Sequence, residues 1–453
     1  MELAGRKVLV VGLGRSGLAA ARLCHARGAR VSGTDLRSAE ALGQLDLPSE
    51  VTLELGRHDE ASFVGADLIV LSPGVPALRQ VEAARRAGVK ITGELELAAR
   101  FVDAPIVAIT GTNGKSTTTT LTGAILAATG RPTFVGGNLG VPLAEAVGSA
   151  AAGPDGYCVV EASSFQLETV ERFRPRVGVL LNVTADHLDR YPDLEAYGRA
   201  KTLVFSAQTA ADFAVINADD ELVERLTREV RSRRISLSTR QPLREGGWIE
   251  GDALCLRLPG GELERYPAVL PGLVGRHNQE NALASLLAGR LAGAAPDQAR
   301  GALVAFRPLA HRMELVAESG GVAYFDDSKG TNVGAVVAAL SGFPRPVVLI
   351  AGGRDKGGAY EPLARAMKEV GRGAVVIGEA AERIAVALSP VVPVARAATM
   401  DEAVVRAAAL AKAGDAVVLS PACSSFDMFR NYEHRAQVFR AAVDRLAAER
   451  RAP

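Results

Sequence analysis

Between residues 106 and 118 the chain reads I-V-A-I-T-G-T-N-G-K-S-T-T, an apolar run followed by a glycine-bearing turn with a lysine, and a helix-like stretch follows from Leu121 to Ala128. Strand, glycine turn and helix start form the basic unit of a parallel α/β sheet, and the N–H groups at such a helix start favour an anion. This pattern cradles a polyphosphate. Gly111, Thr112, Asn113 and Gly114 form the turn, Lys115 neutralises the outer phosphates, and Ser116, followed by Thr117, offers a hydroxyl to Mg²⁺. The strict form of the motif has glycine at position 109, where Ile109 stands, so the loop is a variant whose first glycine is Gly111. A chance Gly-Lys-Ser turn on the surface is the plainer alternative, and the flanking strand and helix signals argue against it.

At 453 residues the chain has room for about three domains, and its 48% hydrophobic content supplies several cores. Lys and Arg number 52 against 51 Asp and Glu, a net charge of +1, so no bulk electrostatic force draws it to nucleic acid or an anionic membrane. Cys24, Cys158, Cys255 and Cys423 are scattered, with neither metal-site nor disulfide spacing, which suits a reducing cytoplasm. No stretch approaches the roughly 20 apolar residues of a membrane helix, and the run Val8–Leu13 is broken by Gly12. A cytoplasmic protein without signal peptide or membrane insertion is expected.

Apolar β-branched runs alternate with alanine-rich stretches in three blocks, which predicts an α/β protein of three domains: 1–97, 98–305 and 306–453. The first and third are Rossmann-like, and the central one is of the phosphate-loop ATPase type. Predicted strands include Val8–Val11, Arg30–Thr34 and Asp67–Leu71, then Tyr157–Glu161, Val177–Asn182 and Ala214–Asn217, then Val322–Phe325, Val347–Ala351, Ala374–Ile377 and Ala416–Leu419. Residues 232–266 read as a polar, turn-rich insertion without a motif.

In the first block Gly12-Leu13-Gly14-Arg15-Ser16-Gly17 follows a strand, and Asp35 closes the next one, satisfying the dinucleotide fingerprint. An NAD-linked oxidoreductase is one reading. Any diphosphate fits the same helix start, however, including that of a uridine nucleotide sugar. Ser72-Pro73-Gly74 adds a turn at a strand's carboxyl end, or is a simple Pro-Gly turn.

Glu161 ends the strand Tyr157–Glu161, a position from which a carboxylate can ligate magnesium or merely stay solvated. His187, in Thr184-Ala185-Asp186-His187-Leu188-Asp189, follows the next strand and could ligate a second ion. Lys201 taken alone is an exposed helix lysine. Asn278 and Asn281 lie three apart at the start of a helix and could grip adenine, although Asn278 would serve equally as a cap.

The loop T-G-T-N-G-K-S, together with His311-Arg312, Asp326-Asp327-Ser328-Lys329-Gly330-Thr331-Asn332 and the block Ser420–Arg435, resembles the Mur ligase family, ATP-dependent amide-forming enzymes of peptidoglycan precursor synthesis. The order of the motifs is kept over nearly the whole length. The resemblance implies ATP with two Mg²⁺ ions, Arg312 and Asp327 on the nucleotide, and a Lys201 that can be carbamylated so that it ligates metal as an anion. It implies that Lys115, Glu161, His187 and Lys201 are catalytic, the last three with Ser116 holding metal. The Ser420–Arg435 block resembles the D-glutamate-adding branch. There Lys356, Thr331, Ser425 and the backbone near Tyr432 would hold D-glutamate, while Gly14, Arg15, Ser16, Asp35, Ser72, Gly74, Asn138 and Lys329 complete the substrate-binding set. The partners expected are UDP-N-acetylmuramoyl-L-alanine and D-glutamate, joined through an acyl phosphate by a monomer. Alternatives are another amide ligase of this type, such as one like folylpolyglutamate synthase, the oxidoreductase, and a non-catalytic nucleotide sensor. Cys423 reads as a packing residue rather than a nucleophile.

Overall fold

Apolar runs too short for helices pair here as parallel strands, and the alanine-rich stretches between them cross over as helices on the sheet faces. The structure, a computed structural model, describes residues 1–270, 275–307, 310–341 and 343–450. The chain forms two compact units. One comprises Met1–Asn182, Gly198–Ala268 and Glu280–Phe306, and the other Val183–Tyr197, Val269–Gln279 and Arg307–Pro453. No helix of the described residues is long and apolar enough to cross a membrane.

The first unit holds two sheets. One is wholly parallel: β1 (Lys7–Val11), β2 (Arg30–Asp35), β3 (Thr52–Leu55), β4 (Leu68–Leu71) and β5 (Lys90–Gly93), in the order β3-β2-β1-β4-β5. The larger one contains β6 (Ile106–Thr110), β7 (Thr133–Gly137), β8 (Tyr157–Glu161), β9 (Val177–Leu180), β10 (Phe213–Asn217), β11 (Arg233–Ser238), β12 (Gly246–Glu250), β13 (Ala253–Arg257) and β14 (Leu263–Pro267). Its order, β14-β13-β12-β11-β10-β9-β6-β8-β7, places β6 between β9 and β8, where crossovers leave in opposite directions and a crevice opens at the carboxyl ends. Strands β6 and β8 are buried along their whole lengths, as strands covered on both faces must be.

The segment read as a turn-rich insertion is more ordered than its polarity suggested. It supplies β11–β14, with β12, β13 and β14 running antiparallel at the sheet's edge. Its strands β12 and β13 are apolar, with Trp248, Leu254, Cys255 and Leu256 buried, and the polar, turn-like residues that dominate the segment lie between the strands, at 239–245 and 258–262.

The second unit has β15 (Glu314–Ser319), β16 (Val322–Asp326), β17 (Val347–Gly352), β18 (Gly371–Ile377), β19 (Val394–Arg396) and β20 (Ala416–Leu419), in the order β15-β16-β20-β17-β18-β19, with only β15 antiparallel. Val348, Ile350, Val417, Leu419, Phe439 and Val443 pack on one face, and Val347, Leu349, Val376, Leu363 and Met367 on the other.

Two buried acids on the helix Glu94–Ala99 tie the sheets of the first unit together. Glu96 accepts the backbone N–H groups of Glu171, Arg172 and Phe173 at 2.9, 3.0 and 2.8 Å and pairs with Arg100. Glu94 accepts from Ala144 N at 2.7 Å, but its other oxygen is buried without a partner, and desolvation pushes the carboxyl up to about 7. The folded chain thus holds this proton to higher pH than the unfolded chain, whose carboxyl ionises near 4.5. Stability is lost as pH rises between those values, and below both the group contributes no difference. Glu94→Gln is therefore expected to gain stability relative to wild type above pH 7, by up to about 3 kcal/mol. Urea midpoints of both proteins from pH 4 to 8 check this, and a pH-independent difference refutes it.

Candidate active site

The loop after β6 is shaped from outside itself. Asn182, just past β9, accepts from Asn113 N through Oδ1 at 2.8 Å, donates from Nδ2 to Asn113 O at 3.3 Å, and receives Thr112 N on its own carbonyl at 2.9 Å. Gly114 begins the helix Lys115–Ala127 at φ +84°, and a Cβ there would lie 2.2 Å from Asn281 Oδ1. Asn281 is buried, and its Oδ1 accepts from Thr118 Oγ1 at 3.4 Å. Ser116 and Thr117 are buried on the first turn of that helix.

Two lysines converge on this loop. Lys115 Nζ donates to the carbonyls of Gly111 at 2.9 Å and Thr112 at 2.7 Å, and Lys201 Nζ donates to the same Gly111 carbonyl at 2.8 Å. Lys201 is only 1% exposed, so the surface-lysine reading fails. The helix Leu194–Thr202 turns this side chain inward, and the Gly111 carbonyl takes its proton donor.

At the neighbouring strand end, Glu161 is 3% exposed. Its Oε1 accepts from Asn138 Nδ2 at 2.8 Å, while its Oε2 is buried with no partner. A buried, half-satisfied carboxylate beside an anion loop suits a cation, since leaving such an oxygen unpaired is costly. Glu280, Asn217 and Asn182 form a network that residue spacing did not reveal. The Glu280 carboxyl accepts from both asparagine side chains, and burial pushes it up to about 7. The signal available was that Asn182 and Asn217 both close strands at one sheet edge.

In the first sheet, Gly14, Arg15, Ser16, Asp35, Ser72 and Gly74 line a cleft of about 400 Å³. Gly14 is the N-cap of the helix Arg15–Ala26, and a Cβ on Gly17 would lie 1.8 Å from the Gly12 carbonyl oxygen, so this helix can approach only with glycine there. Asp35 accepts Leu13 N at 2.8 Å and is bridged by Arg37, which holds its carboxyl well below the usual carboxylate range.

The second unit collects the remaining predicted residues. Asp186 accepts from Lys356 Nζ and from Asn332 Nδ2, each at 3.1 Å, next to His187. Asp327 is buried after β16, accepts from Ser420 Oγ at 2.5 Å, and is pushed up to about 7 by burial, against the pull of Ser420 and Arg312. Lys329 Nζ lies 5.5 Å from the centre of the Tyr432 ring. Thr331 N donates to the Lys329 carbonyl at 3.0 Å, and Ser425 is buried. Asn278 opens the helix Arg276–Leu291, its N–H donating to Gly275 O at 3.1 Å. His187, His311, Met313 and Ala422 adopt positive φ, a strained state for such residues, and each lies within a few residues of a predicted position. Ligand atoms of His311, Glu314 and Asp326 lie within 4.8 Å of one another, but Arg440 pairs with both acids. Cys423 contacts Tyr360 at 3.3 Å, and burial pushes its thiol up to about 11, which rules against a nucleophile.

Family models match in three places: a Mur ligase MurD-like N-terminal domain over residues 6–93, a Mur ligase middle domain over 109–289, and a Mur ligase glutamate ligase domain over 311–423. Curated relatives named UDP-N-acetylmuramoylalanine--D-glutamate ligase include that of Geotalea daltonii, 50% identical over 99% of both chains, and that of Geobacter metallireducens, 50% identical over 100% of both. Among solved structures, a pseudomurein peptide ligase type C from Methanothermus fervidus matches with a TM-score of 0.63 at 18% identity, covering 98% of this chain and 100% of that one. The MurF ligase of Thermotoga maritima, solved with ADP, matches with a TM-score of 0.60 at 17% identity, covering 98% of this chain and 99% of that one.

Gly114→Ala tests the loop directly. Strain at positive φ costs about 1–3 kcal/mol, and the added methyl would also displace Asn281, so triphosphate affinity should fall at least about tenfold. Calorimetric titration with a non-hydrolysable ATP analogue measures it, and unchanged affinity would contradict the role given to the loop.

Proposed function

The chain belongs to the Mur ligase family, and on that footing we propose that it joins D-glutamate to UDP-N-acetylmuramoyl-L-alanine at the expense of ATP, in peptidoglycan precursor synthesis. The observation that carries the chemistry is the convergence of Lys115 and Lys201 on the Gly111 carbonyl, at the helix start where a polyphosphate fits. The full-length relatedness supports the choice of substrates. The three domains are assigned as 1–97 for the uridine nucleotide, 98–305 for ATP and 306–453 for the amino acid, and the protein is taken to act as a cytoplasmic monomer.

A carboxylate and an amine do not condense in neutral water, because hydroxide is a poor leaving group. In the proposed reaction a carboxylate oxygen of the alanyl substrate attacks the γ-phosphorus of ATP and ADP leaves, giving an acyl phosphate. The D-glutamate amine then attacks the acyl carbon, inorganic phosphate departs, and the amine loses a proton. Backbone N–H groups at the start of the helix Lys115–Ala127 orient the phosphates, and Lys115 exchanges its loop carbonyls for phosphate oxygens. Asn278, Asn281, Arg312 and Asp327 are assigned to the nucleotide. Lys356, Thr331, Ser425 and the backbone near Tyr432 are assigned to the D-glutamate carboxylate, with Lys329 alongside. Gly14, Arg15, Ser16, Asp35, Ser72, Gly74 and Asn138 are assigned to the uridine substrate.

Magnesium, when bound, supplies positive charge against the triphosphate. Glu161 Oε2, buried and unpartnered, fits such an ion, and Ser116, His187 and Lys201 complete the proposed ligands for two. Lys201 fits as a carbamate. Two ammonium groups on one carbonyl repel, and carbamylation converts one of them into an anionic oxygen ligand.

Phosphate release with ATP, the uridine substrate and a panel of amino acids tests the activity. D-Glutamate should be turned over, and comparable rates with L-glutamate, L-alanine or diaminopimelate would overturn the assignment. Loss of a charge-assisted contact costs about 1.5–3 kcal/mol, so Lys356→Ala should reduce D-glutamate use more than about tenfold and leave ATP affinity nearly unchanged. Lys201→Ala should lose most activity and recover part of it with added acetate or formate, which can replace the missing carboxylate; recovery with chloride alone would count against the carbamate.

A further inference from the structure

Ligands of open α/β sheets gather at the carboxyl ends of the strands. A cleft of about 500 Å³ in the first unit lies at the other end, where β6, β9 and β10 begin. Residues 172–176 form one wall, and residues 291–293, at the close of the helix Arg276–Leu291, form another. Strand β6 starts in this cleft at Ile106 and ends at Thr110, directly before Gly111. At about 3.3 Å per residue those ends are roughly 13 Å apart, so a ligand of the cleft lies across the sheet from the phosphate loop.

In Arg172-Phe173-Arg174-Pro175-Arg176 the apolar residues are buried and the arginines exposed, which brings three guanidinium groups to one cleft. Two of them are engaged. Arg174 donates from Nε to Asp212 Oδ2 at 2.7 Å and from Nη2 to Thr209 Oγ1 at 2.8 Å, and Arg176 Nη1 lies 3.7 Å from Asp212 Oδ1. Burial opposes the ionisation of Asp212, but Arg174 and Thr209 outweigh it and hold the carboxyl below the usual carboxylate range. Arg172 differs. Its backbone N–H is fixed on Glu96 at 3.0 Å, while no acid among the described residues pairs with its guanidinium, a planar fork of five donors. Three arginines face two aspartates, Asp103 and Asp212, so the lining carries one net positive charge, the complement of a monocarboxylate rather than of a phosphate dianion. Val102, Pro105 and Leu291 add apolar surface, and the volume suits a small organic molecule. We propose that this cleft binds a small aliphatic carboxylate, its oxygens on the Arg172 guanidinium and its hydrocarbon body against the apolar wall, at a site separate from those assigned to the nucleotides and the amino acid.

Saturation-transfer NMR titration of the full chain with isocaproate tests the proposal. A non-hydrolysable ATP analogue, the uridine substrate and D-glutamate are present in excess, so that carboxylate sites elsewhere are filled. Wild type should bind isocaproate, and Arg172→Met, which keeps the unbranched stem and removes the charge, should bind it about tenfold more weakly or worse. Ala292→Phe fills the cleft from its apolar side and should abolish binding. Unchanged ATP-analogue affinity is the check that each variant is folded. Isohexanol, neutral with the same hydrocarbon body, should bind wild type at least about tenfold more weakly than isocaproate. No binding of isocaproate to wild type at millimolar concentration, or equal binding to wild type and Arg172→Met, overturns the site. Tighter binding of methyl phosphate than of isocaproate overturns the assignment to carboxylates.

Discussion

The loop proposed to receive a polyphosphate has its shape imposed by a neighbour: Asn182 accepts the N–H groups of Thr112 and Asn113 on its carbonyl and side-chain oxygens and donates from Nδ2 to the Asn113 carbonyl. The same asparagine is held by Glu280, which also holds Asn217 at the end of β10. Three consecutive carboxyl-edge positions of the central sheet are thereby tied to the loop after β6. Because a hydrogen-bonded network of buried groups is stiff, the cradle is formed before any ligand arrives, and little of the binding energy goes into ordering it.

Parallel pairing explains why chemistry gathers where it does. In β6, β8 and β9 the strands run parallel, so Ile109 stands opposite Glu161 and Thr110 opposite Leu180 at one edge of the sheet. Glu161 then carries its carboxylate to the side of the loop without a special turn. In the second unit the same logic brings Asp326 opposite Leu419, which places Asp327 beside Ser420.

Much of this was legible in the residues. The phosphate loop, the strand ending in Glu161 and the glycine fingerprint after β1 are local patterns, and local patterns survive without knowledge of tertiary structure. The family resemblance added the residues of the third block, which no spacing argument would have selected. What escaped was long-range or edge-like. Strands β3, β5, β7 and β15 are short or lie at sheet margins, and the short strands of the ribbon β12–β14 are separated by polar turns that dominate its composition. Lys201 shows the limit most clearly. Nothing in Tyr197–Lys201 distinguishes a buried lysine from a surface one, because its burial depends on a loop 90 positions away. Asn182 and Glu280 matter only as partners of other residues, and a partnership has no sequence signature.

The four cysteines lie inside the fold, and burial raises each thiol, Cys24 and Cys158 up to about 12. A thiol must ionise and meet its reagent before it can be oxidised or alkylated, and these satisfy neither condition in the folded chain. Exposure to peroxide or to thiol-directed reagents should therefore leave the folded protein largely untouched, and such reagents would report instead on the moments when its sheets come apart.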